Sequence, residues 1–535
     1  MPKTKNQERI RREKGAILIL GTLSMLFIIP MIGMAIDVGF LYAIKSKLQS
    51  SVDGAALAAA RGLSVGQTTA SQQTSAQNNA VLWFYSNFPN GYFGTYGTVM
   101  GTANVQVFDD PNNPHLQNVT ITASTQVDAF FMRWLNFNST RVTSVGNASR
   151  RDTVIMMVMD RSSSMNSNNG CTNMVAAAKL FTGQFAEGRD RLGMVEFSDT
   201  SFVDTPPVTN FQSVLGYTYG GSSSNGLIDT ITCNGNTNTS LGLVFGYNEL
   251  YKVNLPGAYN VLMFFTDGIP NSITVNLKGQ MLSTSGCQDS NGTALSSGGN
   301  MSTHPRSWTP SWSGGSGGFW GTVGPGPIGT VRSDDPTGSG TYGVNKYAGV
   351  SQSNANQGVI SSGSAPGCSF PADATTWVND YRTLPPTDVF GNNTVNNSYN
   401  PITTNGSGNI VLNGTADTGT PLNGNNLIFH YAARNAADSA AYNARTNGTI
   451  AATIFGVGLG GTSQAPPGYD FMQRITNDPN ADLYNNPALY PACSTEPLCV
   501  HYSTQPQGVF IFSSTPTSLQ QVFLQMASQI LRLSR

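Results

Sequence analysis

The spacing of apolar and polar positions changes rhythm along this chain, and each rhythm predicts a different kind of element. Residues 15–36, GAILILGTLSMLFIIPMIGMAI, carry no charge over 22 positions. At 1.5 Å per residue that is about 33 Å, enough to cross a hydrocarbon core of about 30 Å, so a transmembrane helix is predicted. Its length exceeds the apolar core of a cleaved signal peptide. Pro30 is tolerable inside such a helix but should kink it. Past the apolar run, Leu41, Ile44, Leu48, Val52 and Ala55 recur at steps of three or four, which predicts one long helix leaving the membrane. Residues 68–88 read as a polar helix with an apolar last turn, and 103–147 alternate as strands, together a small membrane-proximal α+β unit.

From residue 153 the pattern shifts to short, almost continuous apolar runs separated by helical segments: TVIMMVM (153–159), RLGMVEF (191–197), NVLMFFT (260–266), IAATIFGVGLG (450–460) and GVFIFSS (508–514). Strands of that kind are covered on both faces, so they predict an α/β domain built on a doubly wound, mostly parallel sheet. Helical spacing returns at 427–444 and again in Leu519, Val522, Phe523, Met526 and Ile530, a closing amphipathic helix. Between about 270 and 424 the pattern lapses into Gly, Ser, Asn, Thr and Pro punctuated by Trp308, Trp312, Phe319, Trp320, Tyr342 and Trp377, which reads as a large insertion whose aromatics serve either as a binding surface or as packing against the parent domain. The expected organisation is a basic segment at 1–14, the membrane helix at 15–36, the membrane-proximal unit at 37–150, and the α/β domain at 151–535 with its insertion.

Composition narrows the setting. Only 11% of the 535 residues are charged, against about 25% in ordinary soluble domains, and Gly, Ser, Thr and Asn are abundant, as suits an exported protein. A net charge of -1 supplies no field to gather nucleic acid, so any partner must be recognised locally. Lys3, Lys5, Arg9, Arg11, Arg12 and Lys14 precede the apolar run and predict a cytoplasmic N-terminus, with everything beyond residue 40 in the periplasm or at the cell surface. The six cysteines, Cys171, Cys233, Cys287, Cys368, Cys493 and Cys499, form no CxxC pair and no zinc spacing, which points to disulfides in an oxidising compartment. Cys493 with Cys499 is the natural local pair.

The candidate chemistry lies where apolar strands end. Ligands of open parallel sheets bind beyond the carboxyl ends of the strands. The segment DRSSS (160–164) follows one strand, FTDG (265–268) closes another, and GNTNTSLGL (235–243) opens a helix. Asp160, Ser162, Ser164, Thr237 and Asp267 thereby offer oxygen ligands from three loops, a donor set suited to a hard cation such as Mg²⁺ or Mn²⁺, or Ca²⁺. Asp and Ser after a strand also cap helices, so the first segment alone would be weak; the three together favour a metal. The sequence contains no HExxH and no P-loop, and His115, His304, His430 and His501 stand near no nucleophile pattern, so an enzyme is not expected.

Two family resemblances add to this reading. The stretch AIDVGFLYAIKSKLQSSVDGAALAAA (35–60) after a basic-flanked apolar helix with a central proline, and NVTITASTQVDAFFMRWLNFNSTRVTSVGNASR (118–150), resemble TadE/TadG-type proteins of the tight-adherence (Flp) pilus-assembly system. That resemblance implies a pilin-like membrane-proximal unit. The D-x-S-x-S, G-x-T-N and T-D-G segments resemble the metal-ion-dependent adhesion site of von Willebrand factor type A domains. It implies a Rossmann-like fold in which Ser162, Ser164 and Thr237 bind the metal directly, Asp160 and Asp267 act partly through water, and one position remains for an acidic group of a protein partner. The expected function is then metal-dependent binding in pilus assembly or surface adhesion. The competing expectation is a structural pilus or envelope subunit whose metal only stiffens the fold and whose insertion makes the partner contacts. Cys171 follows the first motif and Cys233 precedes the second, so a bridge between them would fix both loops.

Overall fold

The computed structural model describes residues 5–66, 68–198, 201–217, 225–235, 237–268, 270, 272–276, 328–332, 346–348, 383–384, 387–388, 390–394, 410–411, 427–460, 469–480 and 503–534. The chain divides into two compact units, residues 1–150 and 151–534.

The first unit begins with a single helix, α1 (Lys5–Gly62), continuous through Pro30. From Leu20 its large apolar side chains face outward: Leu20, Leu23, Met25, Leu26, Phe27, Ile29, Met31 and Ile32 are all exposed. Past Asp37 the same helix becomes a core element, burying Ile44, Leu48, Val52, Ala55, Ala56 and Ala59, because apolar residues three and four apart share one face. Helix α2 (Thr69–Asn87) packs there through Ala76, Ala80 and Phe84, and Thr68 caps it by accepting from the Ser71 N–H. Four strands close this core, β1 (Tyr96–Val99), β2 (Val105–Asp110), β3 (Asn113–Asp128) and β4 (Ser139–Arg151), with β3 central between β1 and β2 and also paired with β4. Val119, Ile121 and Ala123 alternate inward along β3, the period of two expected of a strand with one buried face.

The second unit holds the six-stranded sheet. Strands β5 (Thr153–Asp160) and β6 (Arg191–Phe197) pair in parallel, and β7 (Ser201–Val208) returns antiparallel on the edge of β6. Across β5 lies β8 (Tyr259–Thr266). Three small antiparallel strands, β9 (Ser272–Asn276), β10 (Ile328–Arg332) and β11 (Lys346–Ala348), and a short pair, β12 (Thr383–Leu384) with β13 (Ile410–Val411), lie apart from it. The sheet is completed by β14 (Thr453–Leu459) and β15 (Phe510–Ser513), giving the order β15-β14-β8-β5-β6-β7. Every strand but β7 is parallel to its neighbours. The edge strand β7, SFVDTPPV, carries no strand signal in its pattern: it holds two prolines, which a sheet edge tolerates and a central strand does not.

Helices cover both faces. Val154, Met156 and Val158 of β5 point to a core shared with α5 (Thr239–Val253), α6 (Leu427–Thr446) and α7 (Tyr469–Thr476). Ile155, Met157 and Met159 point to the other, shared with α3 (Gly170–Thr182), α4 (Phe211–Leu215) and α8 (Leu519–Leu533). This two-sided burial is why the strands read as unbroken apolar runs. One described part of the insertion, 387–388 with 390–394, docks on α6: Asn435 Nδ2 donates to the Thr394 carbonyl at 3.0 Å, Asn443 Nδ2 to Asn392 Oδ1 at 3.3 Å, and Phe390 packs on the core. Trp308, Trp312, Phe319, Trp320, Tyr342 and Trp377 lie outside the described residues, as do Cys287, Cys368, Cys493 and Cys499.

Candidate metal centre

Strand β5 ends at Asp160, and the chain turns sharply over the sheet. The turn is built by the carboxylate itself: Oδ1 accepts the Ser162 N–H at 2.7 Å, while Thr266 at the tip of neighbouring β8 donates its hydroxyl to Oδ2 at 2.5 Å. The parallel pairing of β5 with β8 therefore brings the two strand tips to one place. Ser162 Oγ lies 3.0 Å from Ser164 Oγ. Both hydroxyls reach Asp267 Oδ1, Ser164 at 2.7 Å and Ser162 at 3.4 Å. A Cβ built on Gly268 would lie 3.2 Å from Thr237 Oγ1 and 3.8 Å from Ser164 Oγ, so Thr237 faces the same small space, and a bare glycine backbone keeps it open.

The loops are tied down from several sides. The Ser163 N–H donates to the Gly235 carbonyl, Asn234 N–H to Arg161 O, and Asn238 N–H to Ser198 O. Asn166 Nδ2 donates to the Cys233 carbonyl at 2.8 Å. Cys171, in the first turn of α3, is joined by a disulfide to Cys233, with Cα atoms 6.1 Å apart across 62 residues of sequence. That bridge holds the loop bearing the serines against the segment leading to Thr237. Asn238 then caps α5 by accepting from the Leu241 N–H.

All five oxygen-bearing residues read from the sequence, Asp160, Ser162, Ser164, Thr237 and Asp267, thus converge, and four are almost fully buried. Electrostatics make this an unusual place to leave two carboxylates. Burial, and then the negative charge of Asp267, push the Asp160 carboxyl up to about 7. Among the described residues no group of three or more His, Cys, Asp or Glu side chains comes together, so a cation here would meet two carboxylates and three neutral hydroxyls. An all-oxygen set of that charge, around a space a methyl group would fill, fits a divalent hard cation.

Reading the sequence missed four contributors. Thr266 fixes Asp160. Arg161 and Glu196 form a buried ion pair at 3.2 Å directly under the turn, so neither adds net charge to the site; the signal was a lone glutamate inside the apolar run of β6. Asp388, in the docked turn of the insertion, reaches Ser240 in the first turn of α5 and is raised to about 7 by burial. Nothing in the low-complexity surroundings of Asp388 marked it out.

Residues 15–62 match the Tad family of TadE/G-like Flp pilus-assembly proteins, and residues 155–269 match the von Willebrand factor type A domain. Similar solved structures include the pilus adhesin SpaC of Lactobacillus rhamnosus GG, 13% identical with a TM-score of 0.33, over 80% of this chain and 36% of SpaC. The chain therefore spans about a third of that relative's length. Others are the vWF domain of the type V pili tip protein Mfa5 of Porphyromonas gingivalis, 13% identical with a TM-score of 0.35 over 72% of this chain and 98% of that one, and the PilB minor pilin of Streptococcus sanguinis, 10% identical with a TM-score of 0.31 over 81% and 79%. No curated protein matches the chain.

Proposed function

We propose, from a chain that joins a TadE/G-like segment to a von Willebrand factor type A domain, a membrane-anchored, exported binding protein of pilus assembly or surface adhesion, which grips a protein partner through a divalent cation. The observation that carries this reading is the convergence of Ser162, Ser164 and Asp267 within hydrogen-bond distance beside Thr237, above the buried carboxylate of Asp160. Ser162, Ser164 and Thr237 would hold the cation, Mg²⁺ or Mn²⁺ by the hardness of the donors, with Asp160 and Asp267 setting the charge. Bound there, the cation supplies positive charge that two carboxylates must share with a ligand, which suits an acidic group of the partner.

What the chain's own residues contribute is preorganisation. Thr266 and the Ser162 N–H hold Asp160 in one rotamer, the disulfide restrains the serine loop, and Gly268 leaves room. The apolar part of α1, whose large side chains from Leu20 to Ile36 are exposed, would cross the membrane with residues beyond 40 on the exported side.

The test is thermal unfolding of the full chain in detergent, with and without Mg²⁺ or Mn²⁺. At a cation concentration 100 times Kd, binding raises stability by about 2.7 kcal/mol, and Asp160→Ala removes the gain. Partner capture that disappears in chelator while circular dichroism stays unchanged supports binding through the cation. Capture that survives chelation, or an Asp160→Ala protein with the full metal response, refutes it.

A further inference from the structure

The loop between β3 and β4, residues 129–138 (AFFMRWLNFN), is not used by the metal centre, and its composition is odd for a loop in water. Phe130, Phe131, Trp134 and Phe137 are 60%, 47%, 92% and 61% exposed. Four large aromatics exposed on ten residues form a patch rather than scattered surface apolar groups.

The loop is fastened to one short stretch of α1. A Cβ on Gly33 would come within 2.7 Å of the Phe131 side chain, so that ring lies on the bare helix surface there. Phe40 meets Phe130 edge to face, with centroids 5.3 Å apart. Between them Asp37, 1% exposed, takes three backbone donors of the loop: Phe130 N–H on Oδ1 at 3.0 Å, and Phe131 and Met132 N–H on Oδ2 at 2.9 and 2.6 Å. Gly33 to Phe40 spans about 10 Å of helix rise, and residue 36, where the uncharged run ends, falls inside that span.

We infer that this loop is seated in the lipid interface of the bilayer that α1 crosses, on the exported side, with Asp37 as the residue that fixes its depth. The inference rests on reading α1 as a membrane anchor. Three observations favour lipid over water as the occupant. Irregular backbone at membrane depth persists only where its N–H groups are satisfied by protein, and a carboxylate at that depth must likewise be matched; Asp37 and the loop satisfy each other. The exposed aromatics are continuous with the exposed apolar surface of α1 at Met31, Ile32, Met34 and Ile36. Aromatic side chains, with an apolar body and, in Trp, a polar N–H, collect at the boundary between hydrocarbon and headgroups. Arg133, on the same loop, is over half exposed and lies 3.6 Å from the exposed Asp128 carboxylate; it can extend its guanidinium to lipid phosphates from there.

The test uses the full chain in nanodiscs of phosphatidylcholine brominated near the top of the acyl chains, compared with unbrominated discs, reading tryptophan emission. Trp83, beside Gly54, is about 27 Å of helix beyond residue 36 and serves as an internal reference. Bromine should quench the wild-type chain, and Trp134→Phe should abolish that quenching while the protein still co-elutes with the discs. Asp37→Ala should weaken it at least twofold, through a loop that has lost its tether. Equal emission loss in wild type and Trp134→Phe, in chains that do enter discs, overturns the loop assignment and leaves the anchor standing; a protein partner would then be the occupant. A chain that does not enter discs at all overturns both.

Discussion

Asp160 sits at the centre of the site's electrostatics, and its behaviour with pH can be worked out. Its carboxyl is raised to about 7, first by burial and then by Asp267. A raised folded value means the protonated form is favoured by folding. That contribution to the metal-free protein is complete below pH about 4 and is lost as pH rises through about 7. A cation competes with the same proton, so Mn²⁺ affinity should climb about tenfold per pH unit below pH 7 and level off above it; isothermal calorimetry at pH 5, 6, 7 and 8 measures this, and a flat profile counts against Asp160 as part of the site. Asp160→Asn, which removes one of two repelling buried charges, should leave the metal-free chain at pH 8 at least as stable as wild type. Gly268→Ala places a methyl 3.2 Å from Thr237 Oγ1 and should weaken cation binding without changing the fold. The buried Arg161–Glu196 pair behaves differently: Arg161→Met strands a charge and should cost about 3–5 kcal/mol, read as a fall in the midpoint of chemical unfolding.

At the scale of elements, the site depends on how closely α5 approaches the sheet and on one covalent bridge. A Cβ on Gly246 would lie 2.5 Å from Val158 Cγ2, and one on Gly242 2.7 Å from the Phe197 ring. The two glycines form a flat seam that lets α5 lie against β5 and β6, with Thr237 just ahead of its first turn. Gly246→Val should therefore destabilise by about 1–3 kcal/mol and weaken cation binding as well, since the whole helix must lift. Replacing Cys171 and Cys233 together by serine should cost about 2–4 kcal/mol and lower cation affinity; unchanged affinity would mean that the loops are held by hydrogen bonds alone. Most of these elements were legible in the amino-acid sequence. The buried strands β5, β6, β8 and β14 declared themselves through apolar runs, as did the half-buried edge strand β15, and α1 through its spacing, because burial on both faces leaves an unbroken run and burial on one stripe a periodic one. β7 left none, as its prolines belong to an edge, and neither did the docked segment at 387–388 and 390–394, whose fit depends on hydrogen bonds from Asn435 and Asn443 of α6, some 40 to 50 residues away in sequence. The convergence of Asp160, Ser162, Ser164, Thr237 and Asp267 was readable because they lie in short motifs at strand tips. Thr266, Arg161 and Glu196 meet those residues or their turn through pairing between strands, which a linear pattern does not display.

For the whole molecule, each unit has its own core. The sheet of the second unit is covered on both faces by its own helices, so residues 151–535 expressed alone should fold cooperatively and keep the cation response; aggregation or a lost response would tie the site to the first unit. In the intact chain α1 exposes its apolar surface from Leu20 to Val38, and protease added to spheroplasts should degrade everything beyond residue 40, whereas full protection would reverse the topology. The claim beneath all of this is that five side chains from three loops form one cation site. Electron paramagnetic resonance of Mn²⁺ titrated into the full chain tests it most directly. One Mn²⁺ per chain, displaced by Mg²⁺ and lost in both Asp160→Asn and Ser164→Ala, is the expected result. Free Mn²⁺ signal at every concentration up to millimolar, or a bound ion indifferent to both substitutions, would contradict it.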